Sequence, residues 1–542
     1  MTSLLIRGSR LFDGTGAAER PADVLLVEGA IAAVAAPGTL SRVAADRVID
    51  ADGLALAPGF IDAHSHADSV PFLPGIDASK ISQGVTTEVV GNCGFSLAPH
   101  PADRSSEIQE MCGRLFPSLP YDWNTTAELY ERTDQAGYTV NTVPLVGHHT
   151  LRAAVMGIDD RAPYPAETAE MSAHLRAAIS AGAFGLSSGL IYAPGVFATV
   201  DELAALAAGL PAGGVYATHL RGEGPRLLDG VAEAIAVAER VGCRLQVSHL
   251  KAAGKDAWGS VVPAMELMDL AWKRGVDVHH DVYPYEANST MLMSCLPPWF
   301  QDGGHEATVR RLRDPSALDR AEGELARDDG TWENWVGGSG WPNVMIASTA
   351  NHEFEGLTLD RVAALRGTTP FQALVDVLVS NDLRATMSVF AMCEEDVEAV
   401  LRHPRALVGS DGLPPGQGGK PHPRLYGTFT RVLARHVREK QTLSLPEAIA
   451  KMTSRTAKVF GIEERGVVRP GAAADVVLFD PDRVQDKATF LEPTRVSEGI
   501  EMVLVGGVVG WERGEATGVR GGRRLRPGAE PAGTGGRTAT GG

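Results

Sequence analysis

Eight short apolar runs recur between residues 59 and 410: Gly59–His64, Thr87–Asn92, Thr142–Gly147, Phe184–Ser188, Val215–His219, Arg244–His249, Asp277–Tyr283 and Ala406–Ser410. Stretches with helical patterning separate several of them, among them AETAEMSAHLRAAISAG and EAIAVAERVG, the second closing on Gly242 as a C-cap. Strand-like runs alternating with helices are the signature of βαβ units. Eight such units predict an α/β protein built on a TIM (β/α)8 barrel. The chain has 542 residues. At about 150 residues per domain that suggests three or four units, but an α/β barrel absorbs about 250 or more as one.

The two ends read differently. LLIRGSRLF, DVLLVEGAIAAVAA and RVIDADGLALA are short strands broken by Gly and Asp, and GVVRPGAAADVVLFDP with EMVLVGGVVGWERGE repeats the pattern near the other end. Each end alone is too short for a sheet core, so the two are predicted to form one small β-sandwich. The expected division is 1–57 and 463–526 for the sandwich, 58–462 for the barrel and 527–542 for a flexible Gly/Pro/Thr-rich tail. The interval before the eighth strand is too long for one helix, and an insertion is expected around 285–382, where such segments cover active sites.

With 50 Lys and Arg against 67 Asp and Glu, the net charge is −17. Sequence-independent nucleic-acid binding needs the opposite sign, so no nucleic-acid partner is expected. The Arg520–Arg526 stretch reads as a solvated C-terminal segment. Five scattered cysteines make no disulfide framework. The N-terminus lacks a signal-type apolar core, and no run of about 18 apolar residues could span a membrane. The expectation is a cytoplasmic protein without membrane association. The sequence leaves a homo-oligomer open.

The chemistry-bearing residues fall at strand ends. In PGFIDAHSHAD, Asp62, His64 and His66 alternate at period two, which on a strand puts them on one face. GNCGF places Cys93 in a tight turn after the second run. YATHLRGEG and LQVSHLKAAG end their runs on His219 and His249. Alone, each is more often a core residue than a ligand, but together at strand ends Cys93, His219 and His249 make a donor set for catalytic Zn²⁺. Lys251 lies two residues past His249 and suits a substrate anion, and Arg221 bears the same relation to His219. GSDG puts Asp411 after the eighth run, where it is either a turn former or a general base.

PGFIDAHSH, GNCGF, the strand-end His219 and His249, SSGLIYAPG, DVYPYEANST and GSDG together resemble the N-acyl-D-amino-acid deacylase (D-aminoacylase) family of the amidohydrolase superfamily, from about Leu4 to Arg526. The resemblance implies a distorted TIM barrel with a β-sandwich from both termini. It implies one tightly bound Zn²⁺ on Cys93, His219 and His249. His64, His66 and Asp411 would form a second, weaker metal site. Tyr192, Lys251, Tyr283 and Ser289 would bind the substrate α-carboxylate, and Asp411 would be the catalytic acid–base. The implied reaction is hydrolysis of a small-molecule N-acyl-D-amino acid.

Two departures bear on specificity. His149 stands where the family more often has a small residue, so it either enters the pocket or packs beside it. Pro284–Trp299 has no Arg but has Met291, Leu292, Met293, Leu296 and Trp299, which suggests a pocket for an apolar side chain. Two rival functions remain: a cyclic-amide hydrolase of the dihydropyrimidinase or dihydroorotase kind, and a non-catalytic scaffold. The fourth run has no Lys to bridge two metals, which counts against the first, and the complete donor set counts against the second.

Overall fold

The computed structural model describes residues 3–327, 329–414 and 418–528. All eight apolar runs become strands, here β1 (Phe60–Asp62), β2 (Val85–Val90), β3 (Asn141–Gly147), β4 (Gly185–Gly189), β5 (Val215–His219), β6 (Arg244–Val247), β7 (Val278–Val282) and β8 (Ala406–Val408). They pair in parallel and in chain order. The sheet curls until its edges meet: Ala63 N donates to Val408 O at 3.1 Å, and Ser65 bridges Gly412. Every residue of β2 to β5 is buried. Helices on one face and packed side chains on the other leave no solvated face, so these strands need not alternate apolar and polar.

The crossover helices start and stop where local chemistry dictates. Pro165–Ala181 begins on proline, whose missing N–H costs nothing in a first turn. Leu227–Val241 ends on Gly242 with φ +77°, as its sequence predicts. Beneath the mouth, Lys80 is buried and its ammonium donates to Asp62 at 2.6 Å, while Ser410 N donates to the same carboxylate at 2.7 Å. Asp62 therefore pegs β1 to the start of the loop after β8. It does not share a ligand face with the histidines, because β1 ends at Asp62 and the chain has left the strand by His64.

Both chain ends enter one nine-stranded sheet. Ser3–Leu11 is its shared strand. Leu4–Arg7 pairs with Arg47–Asp50, and after an irregularity between Ile6 and Ser9, Arg10 and Leu11 pair with Ala55 and Leu56. Val476–Phe479, from the far end of the chain, runs antiparallel to Ala55–Pro58. The sheet folds into a sandwich whose core draws Leu4, Ile6 and Leu56 from one end and Val476, Leu478 and Leu504 from the other. Full burial of each such side chain stabilises by roughly 1.5–3 kcal/mol, and neither end would achieve it alone.

Between β7 and β8 lies a third, three-stranded antiparallel sheet in the order Asn288–Met291, Ala385–Val389, Val344–Thr349. The insertion so formed reaches Val389. Its core is continuous with the barrel mouth, since Cys93, Phe95 and Tyr192 share one cluster with Leu292, Leu296 and Trp335.

The Arg520–Arg526 segment is not a solvated tail. Arg520 donates to the carbonyls of Pro71, Leu73, Gly75, Ala136 and Gly137. Arg524 pairs with Asp134 at 2.7 Å and lies 4.3 Å from the Tyr130 ring centroid. These arginines strap the sandwich to the barrel by filling loop carbonyls that would otherwise lack donors. Of the expected tail, 529–542 lies outside the described residues. No helix among the described residues is long and apolar enough to cross a membrane.

Candidate functional site

The polar strand ends converge on one buried cluster at the C-terminal mouth of the barrel. Cys93 Sγ stands 3.3 Å from His64 Nε2, 3.5 Å from His249 Nε2 and 3.9 Å from His219 Nδ1. Asp411 Oδ1 faces His66 Nε2 at 3.2 Å and His64 Nε2 at 3.5 Å. The donor atoms of His64, Cys93, His249 and Asp411 all lie within 4.8 Å of one another. Cys93 and His249 are thus common to this group and to the predicted set with His219. With Zn–S about 2.3 Å and Zn–N about 2.0–2.1 Å, tetrahedral zinc separates sulfur from nitrogen by roughly 3.5 Å. The separations from Cys93 to His64 and His249 match that spacing, and the 3.9 Å to His219 is longer.

Three of these residues have left-handed backbone: Cys93 at φ +52°, His249 at +35° and Asp411 at +48°. For a side chain with a Cβ this conformation costs on the order of 1–3 kcal/mol and persists only where surrounding bonds impose it. Asp281 Oδ1 accepts from His249 N at 2.9 Å, and His64 O accepts from Asp411 N at 2.8 Å.

Charge states follow from burial and neighbours. Burial holds His64 and His249 down at about 3, so both are neutral imidazoles, the form that ligates metals. Burial, reinforced by the Asp411 carboxylate, pushes the Cys93 thiol well up. Burial would raise Asp411 too, but the Arg424 guanidinium 2.9 Å away, together with His249, His64 and His66, outweighs it and holds Asp411 well below the usual carboxylate range. Asp411 is therefore ionised and able to accept a proton.

A cavity opens onto this cluster. Tyr192, Lys251 and Ser289 line it together with His66, Cys93, His219, His249 and Asp411. Tyr283 sits behind the wall, its ring 4.6 Å from the Arg424 guanidinium and 5.9 Å from Lys251 Nζ. The apolar walls are Phe95, Leu115, Met291, Trp335 and Leu413.

Several expectations are corrected here. Of Met291, Leu292, Met293, Leu296 and Trp299, only Met291 lines the cavity. Leu292, Met293 and Leu296 fill the insertion core, and Trp299 is held by Arg320 and Glu324. Arg221 does not lean toward the site: its guanidinium is spent on Glu233 and on the carbonyls of Val196 and Ala198. Period-two logic failed there because the chain turns at the end of β5. His149 packs and does not enter the cavity. Its Nε2 donates to Gly189 O at 2.7 Å and its ring stands edge-on to Phe95.

Four residues that sequence reasoning passed over belong to the site. Arg424 holds Asp411 and donates to Ser289 O at 3.0 Å. Asp281 supports the His249 backbone and faces His64 Nδ1 at 3.4 Å. Trp335 arrives from the insertion. Glu223, four residues past His219, contacts Lys251. Only Glu223 had a local signal, its place in the loop after a strand-end histidine.

Residues 47–509 match the model of an amidohydrolase family. The chain is 38% identical to an N-acyl-D-aspartate deacylase from Alcaligenes xylosoxydans xylosoxydans, covering 97% of this chain and 95% of the relative. It is 35% identical to a D-aminoacylase of the same organism, over 96% and 97% of the two chains. Among solved structures, an N-acyl-D-glutamate deacylase from Bordetella bronchiseptica, complexed with zinc and a phosphonate mimic of the tetrahedral intermediate, superposes with TM-score 0.81 at 36% identity, over 97% and 99% of the chains. A D-aminoacylase described as having a binuclear metal centre superposes with TM-score 0.82 at 34% identity, over 97% and 100%. An L-hydantoinase from Arthrobacter aurescens shares the fold at 18% identity, over 97% and 100%, with TM-score 0.57.

Proposed function

The chain belongs to the N-acyl-D-amino-acid deacylase family of the amidohydrolases, and on that premise we propose that it hydrolyses N-acyl-D-amino acids with neutral, mainly apolar side chains. The observation that carries this reading is the convergence of Cys93, His219, His249 and an ionised Asp411 on one cavity that Lys251 also lines.

Cys93, His219 and His249 would hold one zinc tightly, with His64, His66 and Asp411 offering a second, weaker site. Zinc bound there supplies Lewis acidity that makes water a better nucleophile and the acyl carbonyl a better electrophile. Asp411 takes a proton from the water as its oxygen bonds to the carbonyl carbon. It returns that proton to the amide nitrogen as the C–N bond breaks. A carboxylate and a free D-amino acid leave. Lys251, with Tyr192 and Ser289 on the cavity wall, fixes the α-carboxylate and so selects the enantiomer whose amide reaches Asp411, while Tyr283 supports Lys251 and Arg424 from behind that wall. An ammonium has three donors, enough for Glu223 and a substrate oxygen together.

The side-chain preference rests on the walls. Among the described residues, Lys251 is the one Lys or Arg lining the cavity. Arg114, next to the wall residue Leu115, is buried with Nε and Nη2 making no hydrogen bond among the described residues, but it does not line the cavity. A second substrate carboxylate would be buried against Phe95, Met291 and Leu413 without a partner, which is costly. A site resting on a reduced cysteine suits the cytoplasm, and all five cysteines are free.

The test is a panel of N-acetyl-D and N-acetyl-L amino acids scored for released amine. D-methionine and D-leucine derivatives should lead D-aspartate and D-glutamate by at least about tenfold in kcat/KM, since one unpaired buried charge costs more than the roughly 1.4 kcal/mol that tenfold represents. Ring opening of dihydropyrimidines in preference to linear amides would favour the cyclic-amide alternative.

A further inference from the structure

Resting on that reading of Cys93, His219 and His249 as zinc ligands, we propose that Glu223 is a positioning residue that sets the tautomer of both zinc histidines through its two carboxylate oxygens and ties them to the substrate-binding Lys251.

The two histidines present opposite ring nitrogens to Cys93. His249 offers Nε2 and His219 offers Nδ1. A neutral imidazole has one N–H and one lone pair. Ligation therefore puts the proton on Nδ1 of His249 and on Nε2 of His219. Both of those nitrogens face Glu223. His249 Nδ1 is 3.0 Å from Oε1 and 2.8 Å from Lys251 Nζ, and His219 Nε2 is 3.3 Å from Oε2; an ammonium cannot accept, so with zinc on Nε2 the Nδ1 proton of His249 has the carboxylate as its acceptor. His219 Nε2 and Glu223 Oε2 are buried, make no hydrogen bond among the described residues, and face each other.

The carboxylate is itself held. Its loop donates Glu223 N to Glu333 at 2.7 Å and Gly224 N to the same oxygen at 3.3 Å. Glu333 belongs to the insertion two residues before Trp335, so one segment walls the cavity and anchors the loop. Lys251 Nζ donates to Oε1, which balances the buried negative charge and leaves the ammonium at the cavity wall.

The donor atoms of His219, Glu223 and His249 also lie within 4.8 Å of one another. The ammonium on Glu223 already occupies the cation position there, so a metal at that spot would meet like charge. Glu223 serves the outer side of the ligands. Carboxylates in that relation to zinc histidines fix ring orientation and raise ligand basicity, and their loss costs about 10–100-fold in metal affinity.

Glu223→Gln keeps the shape but replaces one acceptor oxygen with a donor NH2, so only one histidine can keep its N–H bond. Because this leaves Lys251 buried without its counter-charge, the Glu223→Gln/Lys251→Met pair is made alongside Lys251→Met. Zinc dissociation constants are measured by chelator competition, and Co²⁺-loaded forms are read by absorption. Expected is a roughly 10–100-fold weaker zinc constant for Glu223→Gln against wild type. The same ratio is expected for the pair against Lys251→Met. The Co²⁺ ligand-field bands should shift in both. Unchanged zinc constants and Co²⁺ bands, with Cys93→Ala losing zinc, would overturn the role of Glu223 alone. Zinc retained by Cys93→Ala would overturn the underlying ligand reading and this proposal with it.

Discussion

Gly195→Ala should damage the site through packing, without touching any polar group of the mechanism. Gly195 follows Tyr192 by three residues, in the loop after β4. A Cβ there would stand 2.1 Å from His149 Nε2 and 2.7 Å from Gly189 O. Neither contact is tolerable, and His149 is fully buried with Gly94 against its other face, where a Cβ would come within 2.8 Å. The imidazole therefore cannot step aside, and the alanine must push the loop or break the 2.7 Å bond from His149 to Gly189 O. Overpacking costs roughly 1–3 kcal/mol and the lost hydrogen bond about 1 more, so about 2–4 kcal/mol is expected. The assay is a double-mutant cycle with His149→Ala, read by urea unfolding of the zinc-free proteins. In the His149→Ala background the clash with the imidazole is gone while the 2.7 Å approach to Gly189 O remains, so Gly195→Ala should cost about 1 kcal/mol there, giving a coupling of about 1–3 kcal/mol. Because Tyr192 moves with the loop, KM should rise in the single variant and recover in the double. An equal cost of Gly195→Ala in both backgrounds would refute the claim that His149 is the residue this glycine accommodates.

Asp411→Asn should lower kcat by about 10²–10⁴, the usual worth of a general acid–base, while zinc content measured by elemental analysis stays at the wild-type level. Lys251→Met should raise KM for N-acyl-D-amino acids far more than for their amides, and equal effects on both would mean no carboxylate contact. Glu88 is buried on β2 and burial raises its carboxyl to about 8. Its folded value lies above the unfolded one, so the folded state holds the extra proton and stability falls as pH rises from about 4.5 through 8. Glu88→Gln should remove that fall: its unfolding free energy should match wild type near pH 5 and exceed it increasingly toward pH 8.

All eight barrel strands were legible because each is an apolar run long enough to be buried on both faces. The terminal sandwich was legible because neither end holds enough apolar surface to fold alone. His64, His66, Cys93, His219, His249 and Asp411 could be picked out because polar residues at strand ends need a reason to be there, and the fold brings all six to one mouth. The failures have separate causes. Arg221 and Asp62 were placed by extrapolating strand periodicity past the point where the chain turns. Arg424 and Trp335 sit far along the chain from the residues they touch, in segments whose local pattern is that of any loop or short helix. The Arg520–Arg526 strap looked solvated because its partners are backbone carbonyls, which leave no trace in a sequence.

The central claim is that one zinc on the Cys93, His219 and His249 set supports deacylation of a D-amino acid derivative. The most direct measurement strips the enzyme of metal and titrates Zn²⁺ back while reading D-methionine released from N-acetyl-D-methionine. No turnover is expected before addition, then a rise that saturates at one equivalent. Full turnover without zinc, or none at any loading, would contradict the claim.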